Sequence, residues 1–224
     1  MKKNIHGYSA YHSDLVARIS WRVRGRIFRL FLDTFSPNER TKVLDVGVMA
    51  DAMSEEIESN YFERLYPHPE MVTGVTPEDP SRLQKQFPLS RFTRADGRAL
   101  PFGDQSFDIV FSGAVIEHVG SRENQRQFVR EACRVGRNVF ITTPNRFFPV
   151  EAHSYLPLIS YFPPRVFRGI LSTVGLHELA KEEKLNLLTE HELLQLFDSA
   201  AQPRIVRIRL CLLTQNLVGI VKTW

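Results

Sequence analysis

Thr41-Lys-Val-Leu-Asp-Val-Gly-Val-Met-Ala-Asp51 is the stretch that decides how this chain is read. A short β-branched apolar run, Val43 to Val46, is interrupted by one acid, Asp45, and ends at Gly47. It is too short for a buried helix and reads as an interior parallel strand. A glycine directly after such a strand lets the backbone turn sharply and come close to a ligand. A helix that follows aims its amino end at whatever lies over the strand tip. In open α/β sheets, that crevice at the carboxyl ends of the strands is where ligands bind.

The pattern of strand, turn and helix repeats downstream. A helix is expected over Ser54 to Leu65, broken by Tyr66-Pro67-His68-Pro69. Met71 to Thr76 reads as a second strand, Ser81 to Phe87 as a short helix, and Phe92 to Arg94 as a third strand. A turn-rich loop follows, then a fourth strand over Phe107 to Ser112, a helix over Ser121 to Arg134, and a fifth strand over Asn138 to Thr143. From Asn145 to Gly175 the alternation stops in an aromatic, proline-rich insertion, which must pack on the domain, a substrate, a partner or a bilayer face. Thr189 and Glu192 have capping-box spacing for a helix over Thr189 to Ser199. Arg204 to Leu213 and Asn216 to Val221 read as a closing hairpin with its tight connection at Thr214-Gln215, adding antiparallel strands to a parallel sheet.

Upstream, Asp14 to Phe35 reads as an amphipathic helix, so residues 1–36 form an N-terminal helical segment ahead of the domain over 37–224. Leu15, Val16, Ile19, Val23, Ile27, Leu30 and Phe31 make one arc; Arg18, Arg22, Arg26 and Arg29 make another. The apolar arc is expected to pack on the sheet. Trp21 and Phe28, off that arc, suggest a peripheral membrane contact, together with the insertion at 145–175. The chain has 224 residues and a net charge of only +4, so its base matters through placement. Its start lacks the apolar core of a secretory signal and no run is long enough to span a membrane, which points to a cytoplasmic protein, at most at the inner membrane face. Cys133 and Cys211 are expected to be buried reduced thiols, and no Cys/His cluster has zinc spacing.

Five pieces in order resemble the class I S-adenosylmethionine-dependent methyltransferases, of the methyltransferase type 11 kind. They are Val43-Leu44-Asp45-Val46-Gly47, Ala95-Asp96-Gly97-Arg98-Ala99-Leu100-Pro101-Phe102, Phe107-Asp108-Ile109-Val110-Phe111-Ser112, Val115-Ile116-Glu117-His118-Val119, and the strand into Thr142-Thr143-Pro144-Asn145. The resemblance implies a Rossmann-like, doubly wound, mostly parallel seven-stranded sheet with a C-terminal antiparallel hairpin, and S-adenosyl-L-methionine as cofactor over the first strand. It places Asp45, Gly47, Met49, Thr76, Glu78, Asp96, Gly97, Arg98 and Ser112 at the cofactor. The glycine turn is degenerate. Family members usually carry Gly-x-Gly-x-Gly where this chain reads Gly47-Val48-Met49-Ala50-Asp51, and Thr76 stands where they place a ribose-gripping acid.

Methyl transfer from a sulfonium requires nucleophile and methyl to be held close and in line, and an oxygen nucleophile needs a base near neutral pH. His118, just after the fourth strand, is the candidate base, with Glu117 to orient it or, as the resemblance to some family members implies for such Glu-His pairs, to ligate a metal, and with His153, beside Glu151, reaching the same crevice from the insertion. A single Glu-His pair is too little to claim a metal. Asn145 and Arg146 are candidate substrate contacts. The expected activity is O-methylation of a small molecule, or of an envelope glycan or lipid-linked acceptor. The alternative is a methyltransferase-like scaffold that has lost catalysis. No nucleic-acid partner is expected, because the arginines concentrate in one helix and no aromatic-basic stacking pattern recurs.

Overall fold

The computed structural model describes residues 14–50, 60–198 and 201–223. Helix α1 spans Asp14–Phe35, α2 Tyr61–Leu65, α3 Ser81–Gln86, α4 Arg122–Val135, α5 Pro164–Thr173 and α6 Glu190–Leu194. Strands are β1 Val43–Val46, β2 Val72–Thr76, β3 Arg91–Arg94, β4 Phe107–Gly113, β5 Gly136–Pro144, β6 Arg204–Leu210 and β7 Leu213–Val221. These seven strands form one sheet in the order β3-β2-β1-β4-β5-β7-β6. Strands β1 to β5 pair in parallel, whereas β7 runs antiparallel to both β5 and β6. The expected Rossmann-like sheet with a C-terminal hairpin is therefore present, and its order reverses between β1 and β4.

Both faces of the sheet are covered, which is why the strands read as apolar runs. Leu44, Val46, Val110, Val139 and Ile141 point to one side and pack with Phe128, Val129 and Ala132 of α4 and Leu193 of α6. Val43, Ile109, Phe111 and Phe140 point to the other and meet Val23, Ile27, Phe28, Phe31 and Phe35 of α1 with Tyr61 and Phe62 of α2. Phe31 has no exposed surface and makes edge contacts with Phe62, Phe111 and Phe140 at centroid separations of 5.2, 5.6 and 5.5 Å. Val23, Ile27, Leu30 and Phe31 of the apolar arc of α1 are thus spent on the sheet, joined by Phe28 from beside that arc, and Arg18, Arg22, Arg26 and Arg29 stay exposed. Among the described residues, no helix is long and apolar enough to cross a membrane.

Three expectations are corrected. The hairpin turns at Cys211-Leu212, not at Thr214-Gln215. The backbone of Thr214 and Gln215 is instead tied to the tip of β5: Asn145 donates from its side chain to the Thr214 carbonyl (2.9 Å) and from its backbone to the Gln215 carbonyl (2.8 Å). Cys211 consequently lies exposed in the turn at a φ of 55°, and Cys133 is only half-buried, so neither thiol is fully buried. Burial still pushes the Cys133 thiol up to about 11. Helix α6 stops at Leu194, earlier than expected, although the Thr189–Glu192 capping box forms. The start of the helix expected over Ser54 to Leu65 falls outside the described residues.

The insertion divides into two parts. Ile159, Phe167 and Leu171 build a small core with Leu185 and Leu187, while Phe147, Tyr155, Tyr161 and Phe162 remain exposed. Replacing Phe31 with alanine should lower the unfolding free energy by about 3–5 kcal/mol, read from denaturant titration. A loss under ~1 kcal/mol would mean that α1 adds little to the core.

Candidate active site at the strand tips

Gly47 ends β1 at a φ of 103°, a conformation open mainly to glycine. A Cβ there would lie 2.3 Å from a Val115 methyl. Close approach is therefore required at Gly47, and the group that approaches is Val115, just ahead of the Glu117-His118 turn. Gly97 is constrained in the same way, its missing Cβ making room for the Phe128 ring at 2.5 Å and a Val46 methyl at 2.9 Å.

Around β1 the expected cofactor residues take the following places. Asp45 is buried, and its carboxyl faces that of Glu63 on α2 closely enough for the two to share a proton; Glu63 has no other side-chain partner. Burial, then the neighbouring Glu63 charge, pushes Asp45 well above the usual carboxylate range, and burial likewise raises Glu63. Met49 is half-exposed, and its backbone N–H and carbonyl are clipped by the Asn60 side chain at 3.0 and 2.9 Å. Asp51 lies outside the described residues. Thr76 is buried at the tip of β2, where its hydroxyl accepts from the Glu78 backbone. Glu78 lines a shallow recess with Asp79, Ser81, Arg82 and Lys85. Asp96 is gripped by Arg98, whose backbone and guanidinium both donate to it, with the closest contact at 2.6 Å. Those hydrogen bonds hold the Asp96 carboxyl below its ordinary value. Ser112 has no exposed surface and donates to the Val46 carbonyl (2.9 Å), locking β4 to β1.

At the tips of β4 and β5 the structure brings Glu117, His118 and His153 together. Ala114, at a φ of 57°, turns the chain out of β4 into a 3-10 turn over Ile116–His118. Gln125 of α4, fully buried, donates to the Ile116 and Asn186 carbonyls and fixes that turn. Glu117 is fully buried; its Oε2 accepts from the Thr143 hydroxyl at 3.0 Å and its Oε1 has no partner. His118 Nδ1 lies 2.7 Å from the Lys184 carbonyl, and His153 Nδ1 lies 2.7 Å from Glu151 Oε1. The two Nε2 atoms face each other at 3.1 Å. Desolvation lowers the His118 pKa against the opposing pull of Glu117. Burial also acts to lower His153, but the bond to Glu151 and the charges of Glu151 and Glu117 outweigh it and leave His153 raised.

Of two supporting residues, Thr143 was given no role by the sequence, and Glu151 was only noted beside His153. Glu151 is buried and accepts from the backbone of His153 and Ser154 as well as from the His153 ring. Burial alone would raise its pKa; these bonds and the His153 charge lower it instead. The Glu-x-His spacing at 151–153 was the available signal. Arg146, by contrast, donates to the Ser160 and Phe162 carbonyls and braces the insertion.

A mostly parallel seven-stranded sheet that reverses between β1 and β4 and is closed by an antiparallel β7 is the Rossmann-like methyltransferase fold. Residues 44–139 match the family model described as "Methyltransferase domain". Among solved structures, the chain is similar to the 1,6-didemethyltoxoflavin-N1-methyltransferase of Burkholderia thailandensis, solved with S-adenosylhomocysteine (16% identity, 95% of this chain and 83% of that one, TM-score 0.57). It is also similar to the magnesium protoporphyrin IX methyltransferase of Synechocystis (11% identity, 96% and 91%, TM-score 0.57) and to the [4+2]-cyclase SpnF (15% identity, 91% and 62%, TM-score 0.51). No curated protein matches.

Two outcomes are expected here. Gly47→Ala should lower stability by about 2 kcal/mol or more through backbone strain and the Val115 clash. Adding Val115→Ala should recover only the steric part, which thermal unfolding of both variants would check. For Asp45, a folded-state pKa above the unfolded value means that the folded state holds the proton more tightly. Its contribution to stability is therefore fully present below the unfolded pKa and is lost as pH rises through the folded one. Asp45→Asn should make the protein more stable at neutral pH and flatten this dependence in unfolding curves measured from pH 4 upward.

Proposed function

We propose that this chain is an S-adenosylmethionine-dependent methyltransferase that methylates an oxygen of a small-molecule, glycan or lipid-linked acceptor, with the Glu117–His118–His153 cluster activating that oxygen. The observation that carries this reading is the position of the cluster. Val115 presses on Gly47 at the β1 tip, and the chain then turns directly into Glu117 and His118. The acceptor would meet the methyl donor at that junction.

The residues around β1 fit a cationic cofactor. Asp45 and Glu63 form a buried carboxyl pair that shares a proton, with both carboxyls raised by burial. An ammonium or sulfonium held nearby would restore both to their charged forms. Asp96 and the Gly97 and Arg98 backbone would hold the adenine end, and Thr76 or Glu78 the ribose. When bound, the cofactor supplies an activated methyl carbon, and the chain's own work is positioning and proton removal. With Nδ1–H fixed on the Lys184 carbonyl, the basic atom of His118 is Nε2, which faces His153 Nε2 at 3.1 Å, so an acceptor hydroxyl would have to enter between the two rings to lose its proton there. Glu151 fixes the His153 Nδ1–H in the same way, so both rings are held in a single orientation.

A second reading, a scaffold without catalysis, is favoured by the ion pair that occupies Asp96. The fold alone does not decide, since a [4+2]-cyclase shares it. Calorimetric titration with S-adenosylmethionine and S-adenosylhomocysteine separates the two. The methyltransferase reading expects micromolar binding, weakened by about 1–3 kcal/mol in Asp96→Ala, and a His118→Ala variant that keeps cofactor affinity but turns over about 10²–10⁴-fold more slowly. A folded protein that binds neither compound would put the scaffold reading ahead.

A further inference from the structure

The cluster at the strand tips carries two electrostatic demands that its protein neighbours leave unmet. A backbone carbonyl can only accept, so the contact between His118 Nδ1 and the Lys184 carbonyl places the ring proton on Nδ1 and a lone pair on Nε2. A carboxylate likewise only accepts, so Glu151 fixes the His153 proton on Nδ1 and leaves its Nε2 as a lone pair too. The two Nε2 atoms then face each other at 3.1 Å, lone pair toward lone pair. A proton between the rings would answer that repulsion but not the second demand. Glu117, with no exposed surface, bonds Thr143 through Oε2 and leaves Oε1 unpartnered. One potential ligand atom from each of Glu117, His118 and His153 lies within 4.8 Å of the others.

We propose that Glu117, His118 and His153 form a binding site for one divalent transition-metal ion of the zinc type. Two imidazoles and one carboxylate suit zinc, cobalt or ferrous iron, whereas magnesium and calcium favour all-oxygen sites. Two nitrogens on one ion at bonds of about 2.0–2.1 Å, spaced as these are, subtend an angle of about 100° at the metal. The supporting contacts are those of a metal site. Each ligating ring donates its other N–H to a carbonyl or a carboxylate, and the ligating carboxylate accepts from a threonine. Three protein ligands leave coordination positions open for a water or an acceptor oxygen. His118 keeps exposed surface at the rim of the site while its ring is desolvated enough for burial to lower its pKa.

The ion would also join two segments far apart in the chain. Glu117 and His118 belong to the turn after β4, and His153 to the insertion after β5. Occupancy does not depend on the methyltransferase reading. Only the use of the ion to acidify an acceptor hydroxyl rests on it, and an ion on His118 Nε2 would replace that atom as the activating group; metal binding is read apart from turnover, so the failure of one is distinguishable from the failure of the other.

The test is binding of Co²⁺ and Zn²⁺ to chelator-stripped, full-length protein, with no activity measurement needed. The expected result is one equivalent of Co²⁺ per chain with visible d–d absorption, displaced by Zn²⁺ and unaffected by millimolar Mg²⁺. Zn²⁺ should raise the melting temperature of the parent protein. His153→Ala and Glu117→Gln, checked for folding by circular dichroism, should bind Co²⁺ at least 10-fold more weakly and lose the thermal shift. The more conservative Glu151→Gln should weaken binding by about 10–100-fold. Absence of stoichiometric Co²⁺ or Zn²⁺ binding by the folded parent would overturn the proposal. So would undiminished affinity in folded His153→Ala, or displacement by Mg²⁺ at comparable concentration.

Discussion

The arrangement at the strand tips depends on the contact between Val115 and Gly47. Glycine is needed there both because the backbone turns through a positive φ and because the Val115 methyls occupy the space a side chain would fill. This contact fixes where the chain leaving β4 can go. With Ala114 in a left-handed conformation and Gln125 holding the Ile116 carbonyl, the next residues fold into the short turn that presents Glu117 and His118. One residue therefore couples the packing of β1 to the placement of Glu117 and His118. A turn with a single glycine instead of three is thus adequate for the fold.

The second constraint is coverage of the sheet on both sides. α1 lays a phenylalanine-rich face across β1, β4 and β5, while α4 and α6 cover the opposite face. Close-packed interiors transmit displacement, so the strand tips inherit their rigidity from these two layers. The insertion after β5 is held differently. It has a small core of its own around Phe167 and Leu171, Arg146 braces it through two backbone carbonyls, and His153 reaches over to His118.

Most of the fold could be read from local pattern. The β1 run ending at glycine, the β4 and β5 runs and the Thr189–Glu192 capping box are all signalled by neighbouring residues. The hairpin turn was misplaced because polar Thr214 and Gln215 resemble a turn, and the Asn145 bonds that hold them in register come from a residue 69 positions away. Cys211 was expected to be buried because free cysteine usually is and it lies in a strand-like apolar stretch, yet that stretch is where the hairpin turns. In the site, the residue types at 117, 118 and 153 and their approach to one crevice were legible, but the geometry of their meeting was not. It depends on the Lys184 carbonyl and on a loop folded around the buried Glu151. The Arg98 grip on Asp96 was hidden for a similar reason, since residues two apart meet only in a particular loop conformation.

The position of β7 has a consequence for how the chain reaches this state. It follows β6 in sequence, yet it sits inside the sheet between β5 and β6. Until β7 docks, the apolar β5 strand presents an open edge of unpaired amides and carbonyls, and β6 has no sheet to join. A nascent chain emerging from the ribosome would expose that edge until the final strand had been synthesised. Open edges of this kind invite pairing between molecules. C-terminal truncation or slow release would therefore favour intermolecular strand addition at β5, and the hairpin acts as the seal that ends this exposure.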